Sequence, residues 1–253
     1  MRETAGMSIL ITGGGSGIGE AAARYFVERG AQVTISGRRA DRVEAVAREL
    51  GTACRGVVGD VTEDRDRRHM VESAVEHGGG LDTLINNAAN MYRADIDKVD
   101  ERQLLEVFHS NVVGAMMLTS AALPHLVAAR GCVIFLGSVH TKRAFPNASP
   151  YAATKGALET LTGVLAAELG PQGVRVGCVR PGAVSTELNV RAGLATPDES
   201  HERLLKLSPA HALGRIGTGR EVAEAFEYLA CAEWATGNVL VVDGGLGLGV
   251  TNS

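Results

Sequence analysis

Tyr151 and Lys155 stand four residues apart in SPYAATK, residues 149–155. Ser149 offers a cap, Pro150 suits a first helical position, and Ala152, Leu158, Leu161 and Leu165 continue the apolar spacing of a helix. Positions four apart share one helix face, so the phenol and the ammonium project to the same side. A phenol titrates near ~10 in water, and a neighbouring cation favours its ionised form. Such a couple can give or take a proton at neutral pH. An isolated Y-x-x-x-K is more often an exposed pair on a surface helix. Whether this one does chemistry depends on what the rest of the chain sets beside it.

A second chemical feature is TGGGSGIG, residues 12–19, between a short apolar run and a helical pattern. Glycines at 13, 17 and 19 permit a tight turn, close backbone approach and an open helix N-terminus, which suits a pyrophosphate. The spacing G-x-x-x-G-x-G differs from the G-x-G-x-x-G of the standard dinucleotide fingerprint, but its place between strand and helix predicts a dinucleotide site. The second strand then ends in Ser36-Gly37-Arg38-Arg39, where sites for NAD usually offer an Asp or Glu. Gly37 in that place, followed by Arg38 and Arg39, favours the 2′-phosphate of NADP over NAD. Solvated loop arginines, and Asp41 as a helix cap or ribose ligand, are the competing readings.

These residues need a scaffold, and the chain alternates strand and helix to supply it. Apolar runs at 8–12, 31–36, 53–58, 81–86, 131–137, 173–179 and 238–243 read as strands. Helical patterns fall at about 17–29, 41–50, 63–77, 101–129, 150–169 and 219–231. The alternation predicts a doubly wound, mostly parallel seven-stranded sheet with helices on both faces, a Rossmann-like α/β fold in a single domain over 1–253. Residues 184–218 break the rhythm with Pro197, Pro209 and several glycines, and read as a flap over the substrate.

The 253 residues are 45% hydrophobic and 21% charged, enough for a sizeable core, and aromatics are so few at 4% that aliphatic side chains must fill it. The net charge of −4 and the lack of a basic stripe argue against nucleic acid. The longest apolar runs fall short of the ~20 residues of a membrane span, and the N-terminus does not read as a signal peptide. Cys54, Cys132, Cys178 and Cys231 lack metal-ligand spacing and read as buried reduced thiols, consistent with a cytoplasmic protein with no metal.

In order along the chain, TGGGSGIG, Asp60-Val61, NNAA (86–89), Asn111, Ser138, Tyr151-x-x-x-Lys155, Pro181-Gly182 and the terminal DGG (243–245) resemble the short-chain dehydrogenase/reductase family in its compact form. The resemblance covers nearly the whole chain. It implies an oxidoreductase passing hydride between a nicotinamide cofactor and a carbonyl or secondary alcohol. Tyr151 would be proton donor in reduction and base in oxidation, and Lys155 would lower its pKa and hold the nicotinamide ribose. Ser138 would bond the substrate oxygen, and Asn111 would relay protons through water from Lys155. By the same resemblance, Gly13, Gly15, Ser16, Gly17, Ile18 and Gly19 would cradle the cofactor, with Asp60 and Val61 at the adenine. Asn87 and Ala88 would lie at the ribose, and Pro181, Gly182, Val184 and Thr186 would border the nicotinamide. Ala89 departs from the family's commoner NNAG.

For the substrate, His140 joins Ser138 and Tyr151 as a polar contact, with walls at 90–95, 139–146 and 184–210; a surface-loop histidine is the alternative. The family implies a homodimer or homotetramer through the long helix, the Tyr151 helix and the C-terminal LGLGV (246–250). An NAD-dependent alcohol dehydrogenase and a non-catalytic dinucleotide-binding regulator are the rival functions.

Overall fold

Apolar, β-branched segments form the strands: β1 (Ser8–Thr12), β2 (Gln32–Gly37), β3 (Cys54–Val58), β4 (Thr83–Asn86), β5 (Cys132–Leu136), β6 (Arg175–Pro181) and β7 (Asn238–Val242). The computed structural model describes residues 1–249, less the side chains of residues 189, 191, 197 and 201. Within them the strands make one sheet in the order β3-β2-β1-β4-β5-β6-β7, and every neighbouring pair is parallel.

Strand side chains alternate between two apolar layers, as a period of two requires. Ile9, Ile11 and Ile35 face a layer shared with α1 (Gly17–Val27), α2 (Ala40–Leu50) and α9 (Gly219–Cys231). Leu10, Leu84, Val133 and Phe135 face the other, under α3 (Asp64–Gly78), α5 (Gly114–Ala129) and α6 (Ser149–Leu169). Both faces are covered, which explains why β1, β4 and β5 are buried at every position. The order reverses between β1 and β4, and the carboxyl ends of the strands at such a switch open the crevice in which α/β folds bind ligands.

Three local expectations are corrected. Residues 101–129 are not one regular helix: α4 (Glu101–Phe108) meets α5 through a π-helical turn at His109–Val113. At α6 the cap position falls on Ala148, and Ser149 lies inside the first turn without a capping hydrogen bond. Residues 184–218 hold α7 (Leu188–Arg191), α8 (Pro197–Lys206) and a 3₁₀ turn at Ser208–Ala210, so the proposed flap has regular structure.

The helical stretch Glu101–Ala129 is long and apolar enough to cross a membrane by length and composition, with a mean hydropathy of 1.7 over its best window. Thr119, Ser120, Pro124 and His125 interrupt its apolar residues, so no uninterrupted apolar run in it reaches that length. Here it lies along the sheet, with Leu118, Ala122 and Leu126 buried and Val113, Met116 and Met117 exposed. The four cysteines are free and buried. Val250, the last residue of LGLGV, lies outside the described residues.

Candidate active site

The first turns of α6 bring Tyr151 and Lys155 to the carboxyl ends of β5 and β6, and both are buried. Lys155 Nζ donates to the Leu136 carbonyl at 2.7 Å and lies 5.6 Å from the centre of the Tyr151 ring. Burial pushes the Lys155 ammonium down to about 8. It also pushes the Tyr151 phenol up to about 12, against smaller downward pulls from the Ser138 hydrogen bond and the Arg93 charge. The expected lowering of Tyr151 by Lys155 is therefore not found. Desolvation outweighs attraction because the ammonium is directed at a backbone carbonyl.

Ser138 follows β5 in a short 3₁₀ turn, and its Oγ lies 3.0 Å from His140 Nδ1. The His140 ring stands edge-on to Tyr151 at 5.3 Å and is stacked, tilted, on Phe145 at 4.4 Å. Burial, then the charges of Arg93 and Lys155, hold this imidazole down at about 4. Neutral at physiological pH, it stands between Ser138 and Arg93 as an uncharged hydrogen-bonding group.

Asn111 sits in the π turn, almost fully buried. Its Oδ1 accepts from the Asn90 N–H at 2.7 Å, and its Nδ2 donates to the Asn90 carbonyl at 2.9 Å and to Thr154 Oγ1 at 3.1 Å. The residue thus clamps the loop after β4 to α6. These are its contacts here, and Lys155 is not among them.

The glycine turn crosses the ends of β1 and β4. Gly13 and Gly17 have φ of +68° and +58°, the left-handed region that side chains rarely adopt. A Cβ at Gly13 would stand 2.9 Å from Asn87 Nδ2, and one at Gly19 would run into the Gly13 carbonyl. Gly15 packs on the start of α2, where a Cβ would meet Arg42 at 3.2 Å. A bare backbone arc therefore opens before the N-terminus of α1, where unpaired N–H groups and the helix dipole favour an anion. This bare-backbone cradle, which closes only because its glycines lack a Cβ, fits a dinucleotide.

At the end of β2, Arg38 Nη1 lies 3.6 Å from Asp60 Oδ2, and its Nη2 donates to Asn90 Oδ1 at 3.0 Å. Arg39 bridges Ser16 Oγ at 3.1 Å and Glu187 Oε2 at 2.8 Å, and Arg42 meets the same carboxylate at 3.3 Å. Glu187 thereby straps the start of the flap to α2 across the glycine turn. Asp41 is not the cap of α2: it is exposed in the first turn of that helix, whose cap position is Arg39.

A single cleft of about 470 Å³ joins most of these groups. Gly13, Ser16, Gly17, Ile18, Asn87 and Ala88 line one end, Ser138, His140, Tyr151 and Lys155 the other. Pro181, Gly182, Val184 and Thr186 border it from the loop after β6. Gly15, Gly19, Arg38, Arg39, Asp60, Val61 and Asn111 do not line it, and Arg38 instead faces a neighbouring hollow of about 260 Å³. Sequence reasoning missed Arg93, Arg203 and Lys206, which also line the cleft. Their only sequence signal was position, inside wall segments 90–95 and 184–210.

Residues 13–247 match the family model described as enoyl-(acyl carrier protein) reductase. A solved structure described as a short chain dehydrogenase/reductase family protein is 34% identical with a TM-score of 0.82, covering 96% of this chain and 98% of that one. The chain is a short-chain dehydrogenase/reductase. L-fucose dehydrogenase of Bos taurus is 40% identical to it over 251 residues, 97% of this chain and 91% of that protein. Glucose 1-dehydrogenase of Gluconobacter oxydans is 33% identical, over 96% and 93% of the two chains. The crystal structure of 3-ketoacyl-(acyl-carrier-protein) reductase from Brucella melitensis complexed with NADH superposes with a TM-score of 0.88 at 31% identity, covering 97% of this chain and all of that one. The chain is accordingly a nicotinamide-dependent oxidoreductase of alcohols or carbonyls, which bears out the enzymatic reading over the regulatory one.

Proposed function

We propose that the whole chain works as one catalytic unit reducing a carbonyl, with Tyr151 as proton donor and Ser138 bonding the same oxygen. The observation that carries this reading is the cleft, which joins the glycine turn to Ser138, Tyr151 and Lys155. When bound, the nicotinamide supplies the hydride; the protein's part is orientation and protonation. A phenol held up at about 12 keeps its proton at neutral pH, which supports the donor role. The Ser138 hydroxyl, fed by His140, stabilises charge as it grows on the substrate oxygen. Lys155 holds the cofactor ribose, and Asn111 acts as a positioning residue through Asn90 and Thr154.

Gly13, Ser16, Gly17 and Ile18 cradle the pyrophosphate; Gly15 and Gly19 let the turn close. Asn87 and Ala88 hold the adenosine side, and Pro181, Gly182, Val184 and Thr186 the nicotinamide side. Asp60 and Val61 border the adenine beside Arg38. NADP(H) is the proposed cofactor over NAD(H): Gly37 offers no carboxylate to the ribose, and among the described residues the three guanidinium groups of Arg38, Arg39 and Arg42 are met there by only two carboxylates, Asp60 and Glu187. Residues 184–218 cover the substrate, walled by Phe145, Leu204, Leu207 and Leu246.

Two or four copies assemble in this reading. Exposed Leu105, Val113, Met116, Met117 and Val164 on α4, the π turn, α5 and α6 support it, because a second copy would bury them.

A panel of carbonyls and alcohols run with NADPH, NADH and their oxidised forms tests the reading. Tyr151→Phe is expected to fold and bind cofactor yet lose ~10²–10⁴ in turnover, the usual worth of general acid catalysis. Near-wild-type turnover in that variant removes Tyr151 from the mechanism. A clear preference for NADH removes the NADP assignment.

A further inference from the structure

The substrate end of the cleft carries an arginine that the reading above does not use. Arg93 lies in the loop after β4, half-buried, and its Nη2 stands 3.3 Å from His140 Nε2. Its Nε is buried and has no hydrogen-bond partner among the described residues. Nor does any salt bridge among the described residues reach it, although seventeen others are formed. Arg203 and Lys206 of α8 line the same cleft, and the charge of Arg203, after burial itself, lowers the Arg93 pKa. The acidic residue lining this cleft, Glu187, is paired with Arg39 and Arg42. A half-buried guanidinium beside a second cation is costly unless a counter-charge arrives.

We propose that the substrate brings that charge: the enzyme acts on an oxo acid or hydroxy acid whose carboxylate is held by Arg93. This rests on the oxidoreductase reading and names its substrate class. The planar guanidinium fork matches the two oxygens of a carboxylate better than a point charge does. The hydrogen bonds also connect the two ends of the substrate. A guanidinium only donates, so His140 Nε2 accepts from Arg93 and the imidazole proton resides on Nδ1. Nδ1–H then donates to Ser138 Oγ, which also takes the His140 backbone N–H at 3.3 Å. With its lone pairs engaged, Ser138 directs its own proton to the reacting oxygen. Arg93 is thus a specificity residue toward the carboxylate and a positioning residue toward Ser138.

The test compares kcat/KM for an oxo acid, its primary amide, a phosphorylated ketone and neutral sugars, in wild type and Arg93→Gln. Wild type is expected to favour the acid over the amide by about 10- to 100-fold, the worth of one charge-assisted hydrogen-bonded contact. In Arg93→Gln this ratio should fall to near one: the KM rise should be confined to the acid, while kcat falls by a similar factor for acid and amide as Ser138 loses its orientation. Equal use of acid and amide by wild type overturns the proposal without any variant. So does a preference for the phosphorylated ketone or the sugars, or an acid preference that survives in Arg93→Gln. No turnover of any compound with either cofactor would overturn the oxidoreductase reading, and this one with it.

Discussion

Burial sets the acid–base character of the two central side chains more than their proximity does. Lys155 is enclosed with one carbonyl partner, and its proton is lost at about 8 against an ordinary 10.5. The folded chain therefore releases this proton at lower pH than the unfolded chain. Between those values the unfolded state binds more protons, so stability rises with pH there. The wild type should accordingly gain on Lys155→Met as pH climbs from about 8 to 10.5, by something on the order of 3 kcal/mol at most. Urea titrations of both proteins across that range check it. A difference that stays flat or shrinks would mean that the ammonium is solvated. At neutral pH the charged lysine is then a cost to the fold.

Behind this pair, α6 is pinned by an ion pair one turn further along. Arg180, at the end of β6, donates to Glu159 through Nε at 2.8 Å and Nη2 at 2.7 Å, and Thr141 Oγ1 adds a third bond at 2.7 Å. Both side chains are about nine-tenths buried, and the carboxylate holds the Arg180 pKa up. The brace fixes α6, β6 and the turn after Ser138 as one body. Glu159→Ala leaves the guanidinium buried without its partner, a change that costs about 3–5 kcal/mol. Chemical denaturation should show that loss, and stability within 1 kcal/mol or so of wild type would mean water replaces the carboxylate.

At this scale much was legible in advance. Apolar β-branched runs gave the strands, and Gly13, Gly17 and Gly19 marked the turn because no side chain fits there. The π turn was not legible, since α5 is apolar on most of its faces and so has no stripe whose displacement by one residue would show. Nor was the Arg38–Asp60 pair, which exists because the parallel register sets Gly37 beside Val58 and so brings together the residues just beyond them. Arg93 and His140, 47 residues apart, meet only through loop packing.

Across the whole molecule, the sheet puts all its carboxyl ends on one rim and its amino ends on the other. The cleft occupies the first rim. The second carries the starts of β5 and β6, where Arg130, Val174 and Arg175 line a hollow with Trp234. Trp234 is the chain's single tryptophan and is fully exposed. Its emission should therefore be that of a water-facing indole and should hold steady as nucleotide is added to dilute protein. A blue shift on raising protein concentration would instead report a subunit seated near that rim. The protein so carries an optical gauge of any contact made at that rim, at the end of the molecule away from the cleft.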